Sequence, residues 1–287
     1  IAEGVENSNF PLQTTEGKFI LPPFERRVKA SDLPRFLGLM QHLSGKGMNC
    51  PQPVQAKDGI ALRVLADRPA AITTFLPGQA VPQITASACH ALGQVLATFH
   101  KLGQDYTAER PNGLSVEAWR PLLESCQGSG DDLLPGLTQE LSEALSRIEK
   151  SWPAVGSLPR GQIHADLFPD NVFFQGDQVS GLIDFYFACT DLFAYDLAIC
   201  LNAWCFRDEK VFEPAFAHAM IEGYESVRNL EVAEKEALPV LCQGASIRFL
   251  LTRLYDWINT PADALVTRKD PLAYLGRLRH FSGVAHV

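Results

Sequence analysis

Four residues, His164, Asp166, Asn171 and Asp184, stand in an order and spacing that suit phosphoryl transfer from a nucleotide. That chemistry needs an Asp beside the attacking hydroxyl. It then needs an Asn and a second Asp whose oxygens hold the metal ions that neutralise phosphate charge. Asp166 is the candidate base or orienting group, a role that contributes about 10²- to 10⁴-fold when the group is well placed. Asn171 and Asp184 offer a carboxamide and a carboxylate oxygen, the donors that a hard cation such as Mg²⁺ prefers. His164 is expected to brace the loop through backbone carbonyls, with a direct catalytic role as the alternative. Asp170 faces solvent or caps the turn. Any one of these residues alone would as readily cap a turn; the weight lies in the ordered set.

The surrounding segments must hold that set together. Pro169 keeps the stretch from His164 to Asn171 out of a plain helix. Val172-Phe173-Phe174 and Val179-Ser180-Gly181-Leu182-Ile183 are short apolar runs joined by Gly176-Asp177. Paired as a hairpin, they put Asn171 at the start of one strand and Asp184 at the end of the other. Upstream, 10–14 and 18–21 read as strands around Glu16-Gly17, and 59–65 and 70–75 as a second pair turning at Asp67-Arg68-Pro69. Between the pairs a helix starts with Ser31 as N-cap and Pro34 in its first turn, and Gly45 and Gly47 stop it.

After Leu76-Pro77-Gly78 the pattern turns helical. Thr85 caps a helix whose Leu92, Val95, Leu96 and Phe99 share a face, and Gly103 ends it. Further helices are expected over 115–126, 137–152, 194–206, 211–228 and 234–257. The fold class is α+β: a small sheet-rich part over residues 1–78 and a mostly helical part over 79–287 that carries the four residues. The polar run from Gly4 to Asn9 is either a loop that drapes over phosphates or an ordinary hairpin entry.

The chain of 287 residues has room for two lobes and a sizeable core, with 46% hydrophobic and 20% charged residues. A net charge of -8 argues against nucleic-acid or anionic-membrane partners. No apolar run approaches the length of a membrane span, and no charged-then-apolar leader opens the sequence. Seven cysteines, none spaced Cys-x-x-Cys, fit a reducing cytoplasm without disulfides or a zinc site. The sequence opens at Ile1, without Met, so upstream residues are expected to have been trimmed or left out.

The small-lobe then helical-lobe order, with His164-x-Asp166-x4-Asn171 and Ile183-Asp184, resembles the protein-kinase-like superfamily of small-molecule kinases. That superfamily includes the aminoglycoside phosphotransferases and choline kinases. Within it, the segments Glu3–Phe10, His164–Asn171, Gly181–Cys189, Tyr195–Cys205 and Ile247–Asp256 resemble the homoserine kinases, nearly end to end. The resemblance implies a protein-kinase-like two-lobe fold. It further implies ATP and Mg²⁺ as cofactors and phosphorylation of the side-chain hydroxyl of L-homoserine, a step of threonine biosynthesis. Carried over by position, Gly4, Asn7, Ser8 and Asn9 cover the phosphates. Thr74-Phe75-Leu76 matches the hinge that receives adenine, and Asp196 matches the Asp that braces the catalytic loop.

Two departures stand out. Kinase-like folds carry a phosphate-pairing Lys on the third strand; here Pro22 follows Phe19-Ile20-Leu21, leaving Lys18, Arg26 or Arg27 as substitutes. The first strand of the small lobe is also missing, apparently upstream of Ile1. On the acceptor side, a homoserine carboxylate calls for a bidentate Arg. Arg248 and Arg253, with Asp256 and Tyr186, are the candidates. Arg253 and Asp256 are equally open to an ion pair within their own helix. The alternatives to a homoserine kinase are another small-molecule kinase of the same fold, of choline or aminoglycoside type, or a nucleotide-binding protein without activity.

Overall fold

The structure, a computed structural model, describes residues 10–21, 29–260 and 268–287. The expected phosphate loop of Gly4, Asn7, Ser8 and Asn9 lies outside the described residues, as do Pro22, Arg26 and Arg27.

Strands β1 (Phe10–Thr14) and β2 (Gly17–Leu21) form an antiparallel hairpin in the register Phe10↔Leu21 to Thr14↔Gly17. Helix α1 (Leu33–Gly45) follows a single 3-10 turn at Ala30–Asp32. That turn corrects the expected cap: Ser31 donates to Asp32 Oδ1 at 3.3 Å, and Asp32 in turn accepts from Arg110 Nε at 2.8 Å. The second strand pair is shorter than its pattern suggests. β3 (Arg63–Leu65) and β4 (Arg68–Ala70) join through Ala66 and Asp67, both left-handed with φ of 49° and 60°. A two-residue turn of this hand matches strand twist, so the chain reverses one residue early and Pro69 falls inside β4. β5 (Thr73–Thr74) is a separate strand on the open edge of β2.

The helical part begins with α2 (Ala86–Leu102), where Thr85 Oγ1 accepts from Ala88 N at 3.1 Å as an N-cap should. Then follow α3 (Val116–Ser125), α4 (Leu137–Ser151) and β6 (Arg160–Ile163). β7 (Val172–Gln175) and β8 (Gln178–Leu182) make the expected hairpin, and β9 (Cys189–Leu192) returns to pair with β6. The order closes with α5 (Phe193–Trp204), β10 (Phe206–Arg207), β11 (Val211–Phe212), α6 (Pro214–Glu225), α7 (Val232–Asn259) and α8 (Leu272–Ser282).

The expected helix over 211–228 starts late because 211–212 pair with Phe206–Arg207, and Pro214 then occupies the first helical position. Neither the β6–β9 pair nor α8 is expected from the sequence. α8 has polar residues on much of its surface and a weak stripe, yet it buries Tyr274, Leu275, Arg277, Leu278 and Phe281 against α7.

The core lies mainly in the helical part. α5 is buried along its whole length, and α2 and α6 cross so closely that a Cβ at Gly93 or Gly223 would strike the facing backbone. Among the described residues no helix is long and apolar enough to cross a membrane.

Candidate active site

The chain between β6 and β7 is built around one strained residue. Ala165 sits at φ 65°, a left-handed conformation that costs an L-residue about 1–2 kcal/mol. It is pinned from both sides: its N–H donates to Asp196 Oδ1 at 2.8 Å, and its carbonyl accepts from Arg248 Nη1 at 2.7 Å. Asp196 Oδ2 takes the neighbouring His164 N–H at 2.7 Å. The carboxylate lies in the first turn of α5, where the helix dipole favours negative charge. The kink at Ala165 is therefore over-determined, and Asp166, the next residue, inherits a fixed and only partly buried position.

His164 is fully buried. Its Nε2 lies 3.0 Å from the Ile183 carbonyl and its ring packs on Phe185 at 4.9 Å. Burial pushes its pKa down to about 4, against the opposing pull of the Asp196 charge and the Ile183 carbonyl. A neutral ring enclosed in this way ties β6 to the end of β8 and has no access to an acceptor. The buried ring and its bond to the Ile183 carbonyl fit the bracing role better than the catalytic alternative.

Asn171 closes the loop. Its Nδ2 donates to the Asp166 carbonyl at 2.8 Å and to Asp166 Oδ2 at 3.2 Å, and its own carbonyl accepts from Ile183 N at 3.0 Å. With the amide nitrogen spent on Asp166, the carboxamide oxygen is the group left for a cation. Asp184 is the next residue after that last bond, left-handed at φ 63°, a conformation that Asp tolerates better than most side chains. The hairpin thus brings Asp166, Asn171 and Asp184 to one end of β7 and β8. One carboxylate and one carboxamide oxygen fit a hard divalent cation that takes its remaining ligands from phosphate and water. No cluster of three His, Cys, Asp or Glu that would hold a metal by protein groups alone exists among the described residues.

Asp196 is itself held by a buried relay that sequence reading missed. Burial raises its pKa, but the bond from His100, the nearby imidazoles and the backbone N–H outweigh that, so it stays below the ordinary carboxylate value. His100 Nε2 lies 3.1 Å from Asp196 Oδ2, and its Nδ1 lies 2.7 Å from the Tyr224 hydroxyl. Arg228 donates to that hydroxyl at 3.2 Å and to Glu234 Oε2 at 3.0 Å. Glu234 closes a capping box with Glu231 at the start of α7. Burial keeps His100 below its usual pKa, so the consistent arrangement is Arg228 to Tyr224 to His100 Nδ1, with His100 Nε2–H donating to Asp196. The Glu231-x-x-Glu234 spacing was the one sequence signal for this relay.

Thr74 and Leu76, expected at the hinge, stand where the chain leaves the sheet. Thr74 pairs with Phe19 across β5 and β2, and its Oγ1 accepts from Gln52 N at 2.9 Å. Leu76 presses against Gly181 of β8, where any Cβ would collide with it. Gln79 and Phe174 exchange backbone bonds of 3.2 and 2.8 Å, fastening this strap to the β7–β8 hairpin. Lys18 carries its Nζ 5.8 Å from the Phe75 ring at the same junction.

The acceptor-side candidates separate. Arg248 is 2% exposed, stacks on Phe249 at 4.5 Å and spends Nη1 on Ala165, so it braces the loop from below. Arg253 lies over the Tyr274 ring, donates to the Asp270 carbonyl at 3.0 Å and has Glu209 at 3.8 Å. Its ion pairing therefore runs to the β10–β11 turn. Tyr186 is packed edge-on to Phe36 at 6.0 Å, and burial with the neighbouring Asp184 carboxylate pushes its hydroxyl well above the usual range. Asp256 lies near the end of α7, three residues beyond Arg253.

The phosphotransferase enzyme family matches residues 1–230 of the chain. The homoserine kinase of Gluconobacter oxydans (strain 621H) is 72% identical over 287 residues, 100% of this chain and 91% of that protein. The homoserine kinase of Gluconacetobacter diazotrophicus is 62% identical over 279 residues, 97% and 87% of the two chains. Among solved structures, the amicoumacin kinase hAmiN in complex with AMP-PNP, Ca²⁺ and Ami superposes with a TM-score of 0.70 at 16% identity, covering 97% of this chain and 85% of that one. Choline kinase from Cryptosporidium parvum Iowa II gives 0.66 at 13% identity, over 98% and 87%.

Proposed function

The chain belongs to the phosphotransferase enzyme family, among its homoserine kinases, and from that premise we propose which residues carry the reaction. The activity is ATP-dependent phosphorylation of the side-chain hydroxyl of L-homoserine to O-phospho-L-homoserine, a step of threonine biosynthesis. A divalent metal is part of the chemistry, and the oxygen donors of Asn171 and Asp184 point to Mg²⁺. That ion, when bound, offsets the charge of the phosphate oxygens.

Asp166 orients the homoserine hydroxyl and accepts its proton. Asn171 holds Asp166 through its amide while presenting its oxygen to the metal, and Asp184 presents a carboxylate from the opposite strand. Gly4, Asn7, Ser8 and Asn9 cover the phosphates, and Thr74 and Leu76 receive adenine between residues 1–78 and 79–287. Asp196 and Arg248 keep the Asp166 loop in its strained form. Arg253 serves the acceptor, with Asp256 and Tyr186 at the edge of that site. All seven cysteines are buried as free thiols, in keeping with work in the reducing cytoplasm. The acceptor is a small molecule, and a net charge of -8 argues against non-specific nucleic-acid or anionic-membrane binding.

The observation that carries this reading is the shared anchoring of Asp166 and Asn171, at 3.2 Å, one residue-pair away from Asp184. Asp166→Asn is expected to lower kcat with homoserine by about 10²- to 10⁴-fold while Mg-ATP binding by calorimetry stays within error. Retained turnover would remove Asp166 from the role of base. In the same assay homoserine should exceed choline, threonine and an aminoglycoside as acceptor.

A further inference from the structure

Behind the catalytic loop lies a buried pair of arginines that, among the described residues, share one ion-pair partner. Arg253 and Arg277 have side chains only 10% and 3% exposed. They flank the fully buried Tyr274, with guanidinium carbons 4.6 and 4.1 Å from its ring centroid. Among the described residues the carboxylate that reaches both is Glu209, 3.8 Å from each and beyond hydrogen-bond length, and Asp270 adds its attraction on Arg253. Glu209 is itself 57% exposed and sits at left-handed φ 59° in the turn between β10 and β11, so it leans in from solvent. Arg277 Nε and the Tyr274 hydroxyl are buried and have no hydrogen-bond partner among the described residues. Buried guanidinium groups ordinarily sit beside matched carboxylates, because desolvating an unmatched charge is costly.

The cluster adjoins the reacting end of the molecule. Phe168, two residues beyond Asp166, packs edge-on to Phe249 at 4.9 Å, and Phe249 packs on Tyr274 at 5.4 Å. Burial raises the Tyr274 hydroxyl, and the Asp166 charge contributes to that rise. A planar fork of donors beside a second fork and a phenol is the arrangement that binds a carboxylate bidentately.

We propose that Arg253 and Arg277, with the hydroxyl of Tyr274, form the subsite for the α-carboxylate of the acceptor amino acid. Arg277 and Tyr274 are then residues that set specificity for a carboxylate-bearing acceptor. Glu209 occupies the mouth of this subsite and gives way to the stronger, shorter contacts of the ligand. The inference rests on the homoserine kinase reading and adds to it the residues that recognise the end of homoserine remote from the transferred phosphoryl group.

The test compares L-homoserine with L-homoserine amide, which keeps the hydroxyl and the amine but lacks the carboxylate. The wild-type enzyme should favour the acid in kcat/KM by about 10- to 100-fold, the weight of a bidentate charge-assisted contact. Arg277→Met should bring that preference close to unity by raising KM for homoserine far more than KM for the amide, with KM for ATP unmoved. Arg277→Lys and Tyr274→Phe should fall between. The ratio is independent of the fraction of enzyme folded, so a poorly folding variant still reports through its residual activity. An equal loss on both acceptors, or no acid preference in the wild type, overturns the subsite alone. Absence of homoserine turnover by the wild type, with another acceptor phosphorylated, overturns the homoserine reading and the subsite together.

Discussion

Every residue of α5 from Phe193 to Trp204 is buried, whereas β1 exposes four of its five residues and β3 all three. Both regions flank the same proposed reaction, yet they are supported differently. Around α5 the polar groups are enclosed, and the one that holds the loop is well paired: Asp196 takes two backbone N–H bonds and faces His100, while the Tyr195 hydroxyl is buried without a hydrogen-bond partner among the described residues. In the strand pair β3–β4 the polar groups meet in water, as Asp58 and Arg63 do. A group that must hold a strained backbone against thermal motion is placed where water cannot compete for its bonds. The strand pairs, on the side proposed to receive the nucleotide, stay thin and partly wet.

The sharpest way to break this contrast is Asp196→Ala. It strands two buried N–H groups and His100, so a stability loss of about 3–5 kcal/mol is expected, seen as a large drop in Tm. Activity should fall with it, because Ala165 would relax. A variant with unchanged Tm would show that the loop holds itself.

The next effect comes from pH. His164 has its pKa depressed to about 4 from 6.5 by burial, so the unfolded chain binds the proton more tightly between those values. Stability is full above about pH 6.5 and falls as pH drops toward 4, by roughly 3 kcal/mol at about 1.4 kcal/mol per unit. His100, also depressed by burial, acts in the same direction. Denaturant melts across this window should show the slope, and His164→Gln should flatten it.

Gly244→Ala tests packing on the same side. Its Cβ would run into the rings of Trp119 and Trp152, and overpacking of this kind costs about 1–3 kcal/mol. Calorimetry should register that loss with kcat unaffected. Smallest of all, Asp58→Ala removes an exposed partner of Arg63 and should leave Tm within measurement error. A marked shift there would mean that the sheet-rich part is more tightly integrated than its exposure implies.

Much of the candidate site could be read from residue types at close sequence spacing. The hairpin that carries Asn171 and Asp184 is local, set by two apolar runs and a Gly-Asp turn, and α2 announces itself through Thr85 and Gly103. Three residues at fixed short intervals, Asp166, Asn171 and Asp184, could be proposed for proton-accepting and oxygen-donor roles because those roles depend on functional groups. By contrast, β6 and β9 pair across 25 intervening residues, and the left-handed residues Ala66 and Glu209 are types that give no advance sign of that conformation.

What the sequence supplied by itself was the candidate set, Asp166, Asn171 and Asp184, and the order of a sheet-rich part followed by a helical one. Only the tertiary structure decided what supports that set and what faces it. Arg248 became a brace because its guanidinium meets the Ala165 carbonyl, and Arg277 became part of a charge cluster because α8 packs on α7. Burial and pairing are sums over neighbours distant in the chain, and they turn an arginine from a surface charge into a brace or a ligand. Residue spacing carries no record of those sums until the helices are packed.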